Sequence, residues 1–243
     1  MRVDAAGLLV EEATWSAIGK RLRAGATGIL PVGAACKEHG LHLPMGTDRI
    51  QAEWLGRSLA AKADVVVWPT LTYGYYPAFT RYPGSISLER ETFVRLARDI
   101  LGGILGSGAR RALVINTGIS TIDPLEEAVR CTAEPSRLLL INVYEGPRFL
   151  RAVKELERQK HGSHADEIET SLMLVIAGER VCMDQAVAWD ARRLQGTFSP
   201  DDSTSPGYSP SGVYGDPTRA SAHKGKRLLG AMLSDVLSRF DRW

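Results

Sequence analysis

The sequence holds few cysteines and almost no charge excess. Its three cysteines, Cys36, Cys131 and Cys182, are widely and irregularly spaced among 243 residues. An odd number without a CxxC pair argues against a disulfide framework and against a structural zinc knot. The net charge of +2 at pH 7 is too small to indicate nucleic acid or a membrane surface as a partner.

The sequence also shows no targeting or membrane-spanning segment. No apolar stretch approaches the roughly 20 residues that cross a bilayer. Near the start, Asp4, Glu11 and Glu12 interrupt the short apolar run between residues 5 and 10, which is unlike a secretory signal peptide. We therefore expect a cytoplasmic protein.

The sequence contains enough apolar residues for a buried core. They make up 44% of the chain against 24% charged residues, which is the usual globular balance. The length suits one large α/β domain or two small ones, and no linker or internal repeat divides it. We expect one domain over residues 1–243.

Strand-like and helix-like segments alternate along the chain. Short β-branched runs predict buried strands, and amphipathic or apolar-periodic segments predict helices. Ser87 is a candidate N-cap for the third helix. This alternation predicts a mostly parallel sheet with helices on both faces, and ligands bind such sheets at the carboxyl ends of the strands. The predicted strands are Thr27–Val32, Asp64–Trp68, Arg111–Asn116 and Leu138–Val143, and the predicted helices are Thr14–Ala24, Arg49–Lys62, Ser87–Ser107, Glu167–Ala177 and Lys224–Phe240.

One segment, Gly196–Pro217, lacks both periodicities and is rich in Gly, Pro, Ser and Asp. Its composition predicts either a surface loop or a mobile lid.

Two clusters carry side chains suited to chemistry. The first, residues 36–48, follows the first long strand and contains two histidines, Glu38 and Asp48. Imidazole and carboxylate groups suit zinc, manganese or iron, although a turn in which these side chains cap backbone groups explains the spacing equally well. The second cluster includes His164 and the acidic start of a helix, which the helix dipole alone would favour.

These stretches resemble the creatininase family. LPVGAACKEHGLHLPMGTD is similar to its LPVGS-x-EQHGPHLPLGTD, and HADEIETSLML is similar to its HAGE-x-ETSLML. YPGSISL resembles the family's FPGTISL, and GVYGDP resembles its GV-x-GDP. The matches run in order from about residue 30 to residue 230 and cover most of the chain.

The resemblance implies a three-layer α/β sandwich, commonly assembled as a homohexamer, that hydrolyses C–N bonds of small cyclic amides with two divalent metals. By this resemblance, Asp48 bridges the metals, while His39 and Glu169 ligate one of them. His164 is expected to carry a proton to the leaving nitrogen, and His42 to orient a ligand or the turn. The partner is then a small molecule.

The sequence departs from the family at two positions. Lys37 stands where the family has a glutamate, and Gly118 stands where its NGHGGN segment has a histidine. Both lost residues would ligate the same metal, so we expect one retained metal, with zinc ahead of manganese or iron, and a substrate other than creatinine. We expect the Lys37 ammonium in the vacated region, taking part in catalysis.

Several alternatives stay open at this point. Lys37 could be a surface side chain that points away from an inactive site. Alternatively, a shifted alignment with the family motif could put Glu38 in place of the missing carboxylate. Lys37 could also replace metal chemistry as an acid–base or Schiff-base residue, or the protein could be a non-catalytic subunit. Cys36 as a nucleophile is less usual than Cys36 as a small buried side chain.

Aromatic residues follow the second predicted strand. They predict either an aromatic wall of a substrate pocket or a subunit interface. Ser120, in the segment that replaces NGHGGN, is a further predicted substrate contact. The aromatic residues are Tyr73, Tyr75, Tyr76 and Phe79.

Overall fold

A computed structural model describes residues 7–189 and 196–243 of the chain; Asp4 lies outside these ranges. No helix in the described ranges combines the length and apolar character that a bilayer crossing needs. The strands are β1 (Leu8–Leu9), β2 (Thr27–Val32), β3 (Val65–Val67), β4 (Ala112–Asn116) and β5 (Leu138–Asn142). The helices are α1 (Trp15–Arg23), α2 (Thr47–Ala60), α3 (Arg90–Gly106), α4 (Ile122–Arg130), α5 (Pro147–Leu156), α6 (Glu167–Ile176) and α7 (Ala222–Arg242).

The strands form one parallel sheet in the order β1-β3-β2-β4-β5. Val32 at the end of β2 pairs with Asn116 of β4, which pairs with Asn142 of β5. The carboxyl ends of three neighbouring strands therefore lie at one edge of the sheet, where parallel sheets bind ligands.

Side chains along the strands alternate between the two faces of the sheet. On β4, Leu113 and Ile115 pack with α2, α5, α6 and α7, whereas Ala112 and Val114 pack with α1, α3 and α4. This period of two follows from the pleat, and burial on both faces explains why the strands are continuous apolar runs. The predicted parallel sheet with helices on both faces is confirmed.

The observed elements differ from the predicted ones in detail. The predicted cap at Ser87 is wrong, because α3 begins at Arg90 and the Ser87 Oγ instead accepts a hydrogen bond from the Tyr76 N–H at 2.8 Å. Trp15, the first residue of α1, is exposed. The helices α4 and α5 were not predicted, although Pro147 at the first position of α5 is a common helix start.

The segment Gly196–Pro217 packs against the rest of the protein without forming an α-helix. Its end forms an antiparallel bridge in which the Tyr214 N–H donates to the His164 carbonyl at 3.0 Å. Val213 and Tyr214 are buried. This segment therefore helps to fix the backbone that carries His164.

Candidate active site

The candidate site lies where the carboxyl ends of β2 and β4 meet the first turns of α2 and α6. Lys37 and His39 lie in the loop after β2, and Asp48 is in the first turn of α2. Glu169 is in the first turn of α6. Acidic side chains are favoured at helix N-termini because the helix dipole is positive there.

Close backbone packing fixes the position of Asp48. A Cβ on Gly33 would overlap the Asp48 carbonyl group, so only glycine permits this approach of α2 to the end of β2. The Thr117 Oγ1, just after β4, donates to the same carbonyl oxygen at 2.9 Å. The residues that directly follow β2 and β4 thus hold the first turn of α2.

His39 presents a bare ring nitrogen to two carboxylates. Its Nδ1 lies 2.8 Å from the Lys37 carbonyl oxygen, which only accepts, so Nδ1 carries the hydrogen. In the neutral ring, Nε2 then has a lone pair, and it lies 3.0 Å from Asp48 Oδ1 and 4.0 Å from Glu169 Oε1. This arrangement needs a proton or a metal ion between the groups, and a ring N–H held by a carbonyl is typical of metal-binding histidines.

Lys37 pairs with the other oxygen of Asp48. Its Nζ lies 2.7 Å from Asp48 Oδ2, and the two side chains are only 7% and 1% exposed. Burial alone would raise the pKa of Asp48, but the Lys37 ammonium and His39 hold it well below its usual range. Lys37 Nζ also lies 5.0 Å from the centre of the Phe79 ring, within cation–π range.

His164 is oriented by Glu38. Its Nε2 lies 2.8 Å from the Glu38 carbonyl oxygen and 3.1 Å from Oε2, so Nε2 carries the hydrogen. The bare Nδ1 lies 3.7 Å from Glu169 Oε2. Burial alone would lower the pKa of His164, but the charge and hydrogen bond of Glu38 outweigh it, so that the pKa is raised.

The Glu38 carboxylate is held on the side away from Asp48. Its Oε1 accepts a hydrogen bond from the Gly40 N–H. A Cβ on Gly212, whose φ is +77°, would overlap that oxygen. Lys37, and not Glu38, therefore faces Asp48, as alternation of neighbouring side chains would give.

The turn before α6 orients Glu169. The Ala165 N–H donates to Glu169 Oε2 at 2.7 Å, and Ala165 has the unusual positive φ of 49°. Asp166 caps α6 by accepting hydrogen bonds from the Ile168 and Glu169 N–H groups at 2.9 and 3.0 Å. Burial and the charge of Glu169 raise the pKa of Asp166 to about 6.

The donor set fits one divalent metal. Ligand atoms of His39, His164 and Glu169 lie within 4.8 Å of one another, and Asp48 Oδ1 adjoins His39. His39 and Glu169 can therefore be completed as a metal site either by Asp48 or by His164. Two ligand atoms of a tetrahedral zinc, each about 2.1 Å from the ion, lie roughly 3.4 Å apart. This separation falls between the 3.0 Å from His39 Nε2 to Asp48 Oδ1 and the 4.0 Å from His39 Nε2 to Glu169 Oε1. Among the described residues no second group of candidate ligands adjoins Asp48, whose other oxygen pairs with Lys37 Nζ.

A cavity of about 470 Å³ opens onto these groups. Of the predicted site residues, Lys37, His164, Glu169 and Ser120 line it. His39 and Asp48 lie directly behind, with 1% and 0% of their surfaces exposed. The structure thus brings the predicted metal and proton-transfer residues together.

The predicted aromatic wall is only partly at this cavity. Phe79 lines it, with its ring 4.6 Å from the His164 ring. Tyr73, Tyr75 and Tyr76 are not among its lining residues: Tyr73 is exposed, Tyr75 packs on the α3 side of the core, and Tyr76 is buried. Within the described ranges, these three tyrosines do not reach the cavity.

Sequence reasoning missed the largest apolar part of the cavity. This part is formed by α5, by the turn before α5 and by Phe198 of the 196–217 segment. Neither α5 nor the turn was predicted to belong to the site. The spacing of the apolar Leu150 and Val153, three residues apart in α5, was the available signal. The missed lining residues include Tyr144, Phe149, Leu150, Val153 and Phe198.

Comparison with known proteins agrees with this architecture. The family model described as creatinine amidohydrolase matches residues 11–240. The chain is 28% identical to the mycofactocin precursor peptide peptidase of Mycobacterium ulcerans, covering 88% of this chain and 84% of that protein. It is 25% identical to the creatinine amidohydrolase of Pseudomonas putida, covering 94% of both.

A solved creatininase mutant described as the Zn-Zn type superimposes with a TM-score of 0.83 at 22% identity, covering 96% of this chain and 97% of that one. This likeness confirms the three-layer α/β fold. Since the family model spans nearly the whole chain, the protein belongs to the creatininase family of hydrolases.

Proposed function

We propose that this protein hydrolyses a C–N bond of a small cyclic amide or related polar ring compound, using one divalent metal. The observation that carries the proposal is the bare Nε2 of His39 between Asp48 and Glu169, with Lys37 filling the far side of Asp48. Both curated relatives named above act, by their names, on amide or peptide bonds.

His39, Asp48 and Glu169 would hold the metal. When bound, such a metal polarises a carbonyl group and lowers the pKa of water. Zinc is our first choice, because three protein ligands with one open position are typical of catalytic zinc sites. Structural neighbours include a zinc form and a manganese form, and manganese and iron suit these ligand types also.

His164 is assigned to proton transfer. Its Nδ1 faces Glu169 and the cavity, while Glu38 holds the opposite nitrogen. A neutral His164 accepts a proton at Nδ1 as the attacking water loses it, and then delivers that proton to the leaving nitrogen. Glu38 acts by fixing the tautomer and stabilising the imidazolium.

Lys37 supplies a fixed positive charge at the cavity wall. Its ion pair with Asp48 keeps the ammonium in place and directs the other Asp48 oxygen towards His39. The ammonium can polarise a substrate oxygen, and the nearby Ser120 adds a hydroxyl. The ion pair disfavours the Schiff-base alternative, because that chemistry needs a neutral amine free to attack.

A non-catalytic role is also disfavoured. Lys37 and Asp48 neutralise each other. The lone pair of His39 Nε2, however, faces two carboxylates, which is costly to bury unless a proton or a ligand lies between these groups. The homohexameric assembly and the cytoplasmic location expected from the sequence stay predictions.

The test is a screen of ring compounds with the zinc-loaded protein. Hydantoin, dihydrouracil and 2-pyrrolidinone are incubated, with creatinine as the compound expected not to react, and mass spectrometry detects the gain of one water. We expect ring opening by the wild type and by Glu179→Gln, an exposed glutamate in the loop after α6, and loss of about a hundredfold or more in Glu169→Gln. Equal turnover by Glu169→Gln, or none with zinc, manganese or iron, would contradict the proposal.

A further inference from the structure

We infer that the substrate carries an apolar group of about the size of an aromatic ring beside the bond that is hydrolysed. This inference rests on the proposed function and names the specificity of the same site. The observation behind it is the apolar part of the cavity, which lies beside the residues proposed for metal binding and proton transfer.

The cavity has a polar and an apolar part. Lys37, His164 and Glu169 form the reactive end. Two aromatic pairs continue the lining: Phe79 packs on Phe198 with ring centres 5.1 Å apart, and Tyr144 packs on Phe149 at 5.6 Å. Edge-to-face pairs of this kind are rigid, apolar surfaces, which suits recognition of a flat apolar group.

One face of α5 extends the apolar part to the mouth of the cavity. Leu150 and Val153, three residues apart, point into it, and Ile119 joins them from the loop after β4. Leu150 is 52% exposed and Ile119 is 61% exposed. Large apolar side chains left in water at the rim of a cleft are typical of a surface that a ligand covers.

The size of the cavity supports the same conclusion. Its 470 Å³ lies within the range of about 300–1,000 Å³ found for pockets that enclose drug-sized ligands. A single five-membered polar ring would leave most of this space empty. An amide that bears a phenyl or similar group fills both parts.

The experiment compares two pairs of probes that differ by one phenyl group. Acetohydroxamate and 3-phenylpropanohydroxamate are titrated into the zinc-loaded protein, and acetamide and 3-phenylpropanamide into the chelator-treated protein. The variants are Leu150→Glu and Ile119→Glu. The matched control is Ile86→Glu, since Ile86 is 49% exposed but does not line the cavity.

We expect the phenyl compound of each pair to bind about tenfold more tightly or better to the wild type and to Ile86→Glu. In Leu150→Glu and Ile119→Glu the preference falls to about threefold or less, because a charge now borders the apolar part, while the Kd of acetohydroxamate is unchanged. Equal affinities within each pair in the wild type, or an unaltered preference in both variants, would overturn the inference.

Two further outcomes are distinguishable. If acetohydroxamate does not bind the zinc-treated protein, the proposed function fails, and the amide pair alone decides whether the apolar site exists. If light scattering shows that Leu150→Glu dissociates an oligomer while the preference for phenyl persists, the exposed rim is a subunit contact and the inference is wrong.

Discussion

Lys37 Nζ and Asp48 Oδ2 lie 2.7 Å apart in a pair that is almost completely buried, and the other oxygen of Asp48 lies 3.0 Å from His39 Nε2. Asp48 therefore stands between two groups, one a fixed cation and the other a candidate metal ligand. Family resemblance implies that an aspartate at this position bridges two metals. We propose that in this protein the Lys37 ammonium supplies one of these two positive charges.

Removing the cation should destabilise the metal-free protein. Lys37→Met leaves the buried Asp48 carboxylate without its partner, at a cost of about 3 kcal/mol in the free energy of unfolding at pH 7. Urea denaturation in the presence of a chelator measures this. The exposed Lys62→Met serves as control and should change stability by less than about 0.5 kcal/mol.

The Lys37–Asp48 pair also predicts how the free energy of unfolding changes with pH in acid. The folded pKa of Asp48 lies below its ordinary value of 3.8, so its contribution to stability is present above that pH and is lost as the pH falls. Lys37→Met raises the folded pKa of Asp48 and should lose less stability between pH 5 and pH 3 than the wild type. A parallel loss in both proteins would show that the pair is not coupled.

His42 should make the protein less stable in mild acid. Burial lowers its pKa from 6.5 to about 4, and its Nε2 lies 2.8 Å from the Thr170 Oγ1. In the unfolded chain His42 is protonated below pH 6.5, whereas in the folded chain it is protonated only below about pH 4. The free energy of unfolding therefore falls as the pH drops between these two values, by about 2 kcal/mol at pH 5. His42→Gln should reduce that loss by the same amount in urea denaturation at pH 7 and pH 5, whereas the exposed His223→Gln should not.

The strands and the reactive residues could be predicted from the sequence for different reasons. The β2 and β4 boundaries followed from β-branched runs that are buried on both faces, a local signal. That Lys37 lies close to Asp48 was predicted from the resemblance to a family motif. That Glu38 holds His164 could not be predicted, because the two are 126 residues apart and meet only through tertiary packing.

The direction of side chains in loops was also beyond the sequence. Tyr73, Tyr75 and Phe79 follow the same strand, yet only Phe79 reaches the cavity. Their directions depend on backbone angles in a segment with no periodicity. The α5 wall was missed as part of the site because which side of that helix faces the cavity depends on tertiary packing.

Metal binding and proton transfer should be separable. His164→Gln should retain metal, because His39, Asp48 and Glu169 are intact, but lose turnover about 10²–10⁴-fold through loss of the proton carrier. Elemental analysis and the ring-opening assay measure the two effects on the same sample. Loss of metal in His164→Gln would instead identify His164 as a ligand.

A second metal site should be recoverable by substitution. Lys37→Glu combined with Gly118→His supplies a carboxylate and an imidazole beside Asp48. Because a Cβ at position 118 would lie 2.7 Å from the Thr121 Oγ1, Thr121→Ala accompanies them. We expect this triple variant to bind about one more zinc per chain than the wild type. The Thr121→Ala single variant is the control and should bind no extra metal.

We propose that this chain binds one divalent metal because Lys37 takes the place of the other. Elemental analysis of purified, zinc-reconstituted protein after removal of loosely bound metal tests it directly. We expect about one zinc per chain in the wild type and almost none in Asp48→Asn or Glu169→Gln. Two zinc ions per chain, or none, would contradict it.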